Sequence, residues 1–285
     1  MQRGLAKNII KWLYVFCHNK IGVMANLKSK GTVALIIVVI ALLVTVVFFT
    51  ADTSTLFAAP PPNQVYQPTI PDADEKVVCI VFDDGWKTHV SNAQILERYN
   101  FAASYSIITS YVGYTAYMNW ADIALLAQKG NDIVSHTLTH SNLSAVDEAT
   151  LRSELIESRQ ILRAHGYGAD VFIYPYGEAA RNQTVVDAVA QVYQLATGTE
   201  AGKCDLYTLN RFNVNSYVVY RDTSMDQFAQ IINGTGGRNV TVLYYHKVGD
   251  EGGNSVTRQE FEAQLQYLSD NGYTVKTLSQ LFLKT

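Results

Sequence analysis

Beyond residue 76 the chain alternates short apolar runs with stretches of helical periodicity. Val77–Phe82 (VVCIVF) is apolar at every position, the pattern of a strand buried on both faces, and a helix-like stretch follows from about His89 to Tyr99. Ala102–Ile108 predicts a second strand, Trp120–Gln128 a helix and Asp132–His136 a third strand. Ser144 is the expected N-cap of the next helix, with Asp147 at its third position, Leu151, Leu155 and Leu162 as its apolar stripe, and an end near His165 and Gly166. Val171–Tyr174, Gln194–Ala196, Arg211–Val214 and Val240–Tyr245 continue the strands. A helix over about Arg258–Asn271, a strand Thr274–Thr277 and a short terminal helix complete the pattern. Apolar strands separated by helices predict an α/β fold, a parallel sheet with helices outside, for which a barrel is the natural closure at this length. In such folds chemistry collects at the C-terminal ends of the strands.

The first 75 residues follow other rules. Val33–Phe49 is an uncharged apolar run, and Thr32 and Thr50 extend it, so residues 32–50 are long enough as a helix to cross a hydrocarbon layer of roughly 30 Å. Six basic residues (Arg3, Lys7, Lys11, Lys20, Lys28 and Lys30) precede it and no acidic residue occurs before Asp52, which sets residues 1–31 on the cytoplasmic side. A cleaved signal peptide, ending near Leu56–Ala59 and starting from Met1 or Met24, is the rival; it would make the protein secreted. Residues 51–75 hold Pro60, Pro61, Pro62, Pro68 and Pro71 and read as an extended tether. Residues 76–285 then form one extracytoplasmic domain, held at the cell membrane by a single-pass helix.

Overall charge is −3, but the part beyond position 51 has 16 basic against 25 acidic residues, a net of −9. Without an excess of Lys and Arg to displace counterions, nucleic acid is excluded as a partner. Charged residues make up 16% and hydrophobic ones 48%, which also excludes a disordered chain. Cys79 and Cys204 are the two outer cysteines; Cys79 lies in an apolar strand, where a buried free thiol is the expected state. Oligomeric state is not legible.

Four strand ends carry the candidate chemistry. The first ends in Phe82, Asp83, Asp84, Gly85, Trp86, the third in His136, Thr137, Leu138, Thr139, His140, the fourth in Tyr174, Pro175, Tyr176, Gly177, and the seventh in Leu243, Tyr244, Tyr245, His246. Two imidazoles four residues apart, with Thr137 where a zincin has Glu, point to a loop leaving a strand rather than a helical HExxH site. Two imidazoles and one carboxylate suit a divalent ion, most readily Zn²⁺. Adjacent side chains in extended backbone point apart, so one of Asp83 and Asp84 can bind metal while the other takes a proton.

The order FDDG, HTLTH, YPYG, LYYH resembles the NodB-homology polysaccharide deacetylases, carbohydrate esterase family 4, from about Val77 to His246; the ending QEFEAQLQYLSDNGYTVKTLSQL is also similar. The resemblance implies a distorted (β/α) TIM-like barrel and a metal-dependent hydrolase acting on acetylated sugar polymers. It further implies Asp83 as general base, Asp84, His136 and His140 as metal ligands, Tyr176 as donor of a backbone N–H to the oxyanion, and His246 as general acid. Family members often carry Arg two residues before the third motif's Pro, where this chain has Ile173, and Pro after the second His, where it has Ser141. A branch reading FAYPYG lacks that Arg and often has one after a Leu-Pro pair. Here Leu209, Asn210 and Arg211 make Arg211 the expected partner of Asp83.

The expected activity is removal of N-acetyl groups from an extracytoplasmic amino-sugar polymer such as peptidoglycan, poly-N-acetylglucosamine or a chitin-like chain. A noncatalytic saccharide-binding barrel and a metal-dependent amidase on small cyclic amides are the alternatives. Trp86 and Tyr174 are candidates for stacking on sugar rings, with core packing as the plainer role for both.

Overall fold

The computed structural model describes residues 64–249 and 254–284, so the basic N-terminus, the apolar run and most of the proline-rich tether lie outside the described residues. Among the described residues no helix is long and apolar enough to cross a membrane.

Strand β1 (Lys76–Phe82) is the centre of the sheet. From Val77 to Phe82 every residue is fully buried, and the side chains alternate between two cores. Val77, Cys79 and Val81 point into the concave interior with Val134, Val171, Ile173, Val242 and Tyr244. Val78, Ile80 and Phe82 pack outward under the helices. A strand with apolar neighbours on both faces has no polar face, which is why it reads as a continuous apolar run.

Next along the chain come α1 (His89–Glu97), β2 (Ser104–Ile107), α2 (Trp120–Gln128), β3 (Asp132–Ser135), α3 (Glu148–Ala164), β4 (Val171–Ile173), α4 (Gln183–Val192) and β5 (Leu195–Thr197). Then follow β6 (Tyr217–Val218), α5 (Met225–Ile232), β7 (Asn239–Tyr245), α6 (Arg258–Asp270), β8 (Tyr273–Val275) and α7 (Leu278–Phe282). The parallel sheet runs β5-β4-β3-β2-β1-β7, with β6 on β7 and β8 on the lower half of β1. It is a curled sheet rather than an eight-stranded barrel. The gap between β5 and β7 is crossed by residues 211–219, which bond to Ala196 of β5 through the Arg211 carbonyl and the Val214 N–H, at 2.8 and 3.0 Å, and reach β7 through β6. Leu278, Leu281 and Phe282 of α7 pack into the interior core, the end opposite the strand C-termini.

Three local expectations change. The N-cap of α3 is Asp147, whose carboxylate accepts from the Thr150 N–H at 2.7 Å, because Asn142 draws Ser144 into a turn of its own. The expected strand Arg211–Val214 is a turn in which Asn210 Oδ1 accepts from the Phe212 N–H, so its ends, the Arg211 carbonyl and Val214, bond to β5 while Phe212 and Asn213 turn away from strand pairing. The last strand stops at Val275 because Thr277 caps α7 in a capping box with Gln280. Cys79 is a buried free thiol, as expected, and so is Cys204.

Candidate active site

Strand parity builds the site. Continuing the inward series of β1 beyond Val81 gives Asp83; continuing β3 beyond Val134 gives His136, and β7 beyond Tyr244 gives His246. Register holds these ends level: Phe82 pairs with Tyr245, and the Asp83 N–H donates to the Tyr245 carbonyl at 2.9 Å. Asp83 is 6% exposed and accepts from the Ser106 hydroxyl at 2.7 Å.

The chain then turns sharply. Asp84 has φ +77°, Thr137 +67°, His140 +64° and Tyr176 +60°, four of the six non-glycine residues in the left-handed region among the described residues. Such conformations cost about 1 to 3 kcal/mol each and persist only where surrounding bonds impose them. Gly177, at φ +74°, admits no side chain at all, since a Cβ there would collide with Thr199. The consequence at Asp84 is that its carboxylate swings toward the β3 loop. Oδ1 lies 3.5 Å from His136 Nε2 and 3.4 Å from His140 Nε2, and Oδ2 accepts from the Trp86 indole N–H at 2.9 Å.

These three side chains are arranged as ligands. His136 Nδ1 is 2.9 Å from the Ile173 carbonyl, an acceptor only, so Nδ1 carries a proton and Nε2 is the atom that faces Asp84. His140 Nδ1 is likewise engaged, 3.1 Å from the Tyr176 hydroxyl. One ligand atom from each residue lies within 4.8 Å of the others. Bonds of 2.0–2.1 Å in a tetrahedron place ligand atoms about 3.3 Å apart, close to the Asp84 to imidazole separations. The donor set, its spacing and the outer bonds that orient each ring fit a divalent cation.

The electrostatics separate the two carboxylates. Burial raises Asp83 above its ordinary value, against the charges of His136 and His246 and the Ser106 bond. Burial acts the same way on Asp84, but the bond to and charge of His136, with those of His246 and His140, outweigh it and hold Asp84 well below the carboxylate range. His140 is lowered to about 4 by burial and by neighbouring His136.

Among the sequence candidates, Asp83, Asp84, His136, His140, Tyr176 and His246 share this rim. Tyr176 is 61% exposed, and its backbone N–H has no protein partner among the described residues. Arg211 does not join them. Its guanidinium lies 4.6 Å from the Phe212 ring centroid and 5.3 Å from that of Tyr66, and no ion pair links it to Asp83. The Asn210 turn directs it there, so the expected partner of Asp83 is replaced by Ser106. Tyr174 is buried, its hydroxyl bonded to the Phe212 carbonyl at 3.0 Å, and belongs to the core. Trp86 is engaged by Asp84 at its N–H, by Tyr117 stacked at 4.5 Å, and by Lys247 Nζ 3.9 Å from its centroid.

Three supporting residues escaped the sequence reading. Ser106 sits with Ser104 on the inward face of β2, a two-residue spacing that could have signalled it. Glu154, 3% exposed on α3, accepts from the Leu138 and Thr139 N–H groups at 2.9 and 2.8 Å and from the hydroxyls of Thr139 and Ser141. His89, fully buried, places Nε2 2.6 Å from the His246 carbonyl.

A curled parallel sheet thus carries at its C-terminal rim an Asp-His-His cluster that fits a divalent cation, with a buried carboxylate beside it. Residues 71–194 match the sequence profile described as polysaccharide deacetylase. The YxkH protein of Bacillus subtilis strain 168, named for the same family, is 28% identical over 147 residues, 50% of this chain and 52% of that protein. A peptidoglycan-N-acetylglucosamine deacetylase from Bacillus cereus is 30% identical over 109 residues, 37% of this chain and 38% of that protein. The chain thus matches about half the length or less of these curated relatives. In fold it is similar to the Xyl-CE4 domain of a multidomain xylanase from the hindgut metagenome of Trinervitermes trinervoides. That match has a TM-score of 0.51 and 24% identity, and covers 73% of this chain and 90% of that one.

Proposed function

We propose that the protein removes N-acetyl groups from an extracytoplasmic amino-sugar polymer, with peptidoglycan, poly-N-acetylglucosamine and chitin-like chains as the substrates to test. The observation that carries the reading is the Asp84, His136, His140 triad set beside buried Asp83 on one rim. A divalent cation held by that triad, Zn²⁺ by donor type, would polarise the acetyl carbonyl and make water easier to deprotonate. Asp83 takes the proton from the attacking water; its raised affinity for a proton suits a base that must pick one up. The Tyr176 N–H, without a protein acceptor, donates to the oxygen that gains charge as the carbonyl is attacked. His246 passes a proton to the departing amine, since an amine leaves poorly as an anion. Ser106 takes the orienting task that an arginine performs in many relatives, which lets Ile173 stand in the third motif without loss of the base. The basic segment followed by the apolar run Val33–Phe49 supports a membrane tether with the domain outside.

Acetate release from peptidoglycan, chitin oligomers and poly-N-acetylglucosamine, measured with and without added Zn²⁺, tests the reading. Release from at least one polymer, abolished by chelation and by Asp83→Asn, is expected. No release from any of the three with metal supplied would overturn it.

A further inference from the structure

Asp84 and Gly85 both have left-handed backbone, at φ +77° and +78°, and this turn brings half-buried Trp86 against half-buried Tyr117 in an isolated antiparallel bridge. Backbone bonds on either side fix it there. The Met118 N–H donates to the Gly85 carbonyl and the Lys87 N–H to the Ala116 carbonyl, both at 2.9 Å, and the Trp86 carbonyl accepts from the His89 N–H at 3.0 Å. The Tyr117 ring stacks on the indole at 4.5 Å, and Lys247 Nζ lies 3.9 Å from the indole centroid. With backbone and ring both held, the one polar atom of the side chain has a fixed target: Nε1–H donates to Asp84 Oδ2 at 2.9 Å.

That bond divides the Asp84 carboxylate. Oδ1 is the oxygen 3.5 and 3.4 Å from the two imidazole Nε2 atoms, while Oδ2 is engaged by the indole. Stacking on Tyr117 and contact with Lys247 explain an aromatic ring at position 86 but not its nitrogen, since a phenyl ring stacks as well. Closing the Asp-Asp-Gly turn is the plainer task for the N–H, yet the Met118 and Lys87 backbone bonds already hold that turn. What the N–H adds is a distinction between the two oxygens. A cation gripped by both would compete with the indole for Oδ2, and an ammonium drawing on the ring's π electrons makes the N–H a stronger donor.

We propose that Trp86 is a positioning residue that makes Asp84 a one-oxygen ligand and thereby sets which cation the triad prefers. This role rests on the reading of Asp84, His136 and His140 as a metal centre. Zn²⁺ is suited by one carboxylate oxygen and two imidazoles, with a position left for water or the acetyl oxygen. Mn²⁺ favours a fuller, oxygen-rich shell and gains more from a carboxylate free to offer both oxygens. Removal of the indole N–H therefore releases Oδ2 and shifts the preference away from Zn²⁺.

The test is calorimetric titration of the metal-free full-length protein with Zn²⁺ and, separately, with Mn²⁺, in wild type, Trp86→Phe and Tyr117→Leu, with tryptophan emission recorded alongside. Trp86→Phe keeps a ring for Tyr117 and Lys247 and loses the donor. Its Zn²⁺ affinity is expected to fall roughly 10-fold and its Mn²⁺ affinity less, so that the ratio of the two drops at least roughly 3-fold. Tyr117→Leu loosens the packing but leaves the N–H in place, and should keep the wild-type ratio. Zn²⁺ bound at Asp84 perturbs the indole bonded to it, so emission should change on titration of wild type and Tyr117→Leu. In Trp86→Phe, where Trp12 and Trp120 remain, that change should be lost. The isostere β-(3-benzothienyl)alanine at position 86, with sulfur in place of the N–H, replaces Trp86→Phe if that variant does not fold, and the same drop in ratio is expected. Equal losses for both cations would show support without selection and overturn the proposal, as would an unaltered ratio. Failure of the wild-type protein to bind Zn²⁺ would instead overturn the metal-centre reading on which it rests.

Discussion

Replacing Glu154 should weaken metal binding although it touches no metal. Its carboxylate accepts four hydrogen bonds from residues 138–141, the stretch joining His136 to His140. Thr137, just before that stretch, and His140, within it, have positive φ, which the backbone would leave if nothing held it. Glu154→Ala strands the backbone N–H groups of half-buried Leu138 and exposed Thr139, at the lower end of about 1 to 3 kcal/mol each, and removes the acceptor of two hydroxyls besides. A loss of about 2 to 5 kcal/mol in unfolding free energy of the metal-free protein follows, with metal affinity lowered roughly 10- to 100-fold, the usual cost of removing an outer support. Glu154→Gln behaves differently. Its amide oxygen can face the two N–H groups while the NH₂ faces the two hydroxyls, so every partner is kept and only the charge is lost. A decrease of about 1 kcal/mol and a few-fold in affinity is expected, since bonds to charged acceptors are stronger than neutral ones. Urea denaturation without metal and calorimetric titration with Zn²⁺ measure the two effects separately. Glu157→Ala, on the same helix with a solvent-exposed carboxylate bonded to Ser153, is the control and should change neither. Wild-type stability and Zn²⁺ affinity in Glu154→Ala would refute the argument.

Two further predictions concern buried charge. Burial lowers His89 to about 4 from an ordinary 6.5, so the folded state keeps it neutral while the unfolded chain protonates. Its contribution is whole above pH 6.5 and is lost as pH falls toward 4; His89→Gln should flatten that limb when unfolding free energy is compared with wild type from pH 4 to 7, and parallel curves would contradict it. Asp170, fully buried, accepts from Arg159 at 2.5 Å and from Arg163 at 3.0 Å. Asp170→Asn leaves a buried guanidinium poorly compensated and should cost about 3 to 5 kcal/mol in urea denaturation, whereas a change under about 1 kcal/mol would show the cluster to be dispensable.

Legibility in the sequence followed the range of the physical cause. Val77–Phe82 announced a central strand because burial on both faces leaves a local mark, six apolar residues in a row. Asp83, His136 and His246 could be assigned to one rim because a parallel sheet turns every strand end the same way, and side-chain parity then decides which of two neighbours faces inward. Asp84 follows a different rule. Its approach to His136 and His140 depends on a backbone at φ +77°, which the Asp-Asp-Gly turn suggested without fixing. Arg211 was placed wrongly because its direction is set by Asn210, whose side chain turns a short apolar stretch away from strand pairing. An arginine's reach makes it compatible with many partners, so spacing from a motif says little about which it takes. Ser106 and Glu154 left fainter marks still, since each acts across 13 to 23 residues, Ser106 through one hydrogen bond and Glu154 through four. A buried Glu on the apolar face of α3 nevertheless breaks the Leu151, Leu155, Leu162 stripe. A carboxylate is kept among leucines only when donors meet it there, so a charged residue interrupting a buried stripe locates a loop that must be held. In this fold that loop is the one joining the two histidines, and the irregularity on α3 points to the site as directly as the motif it supports.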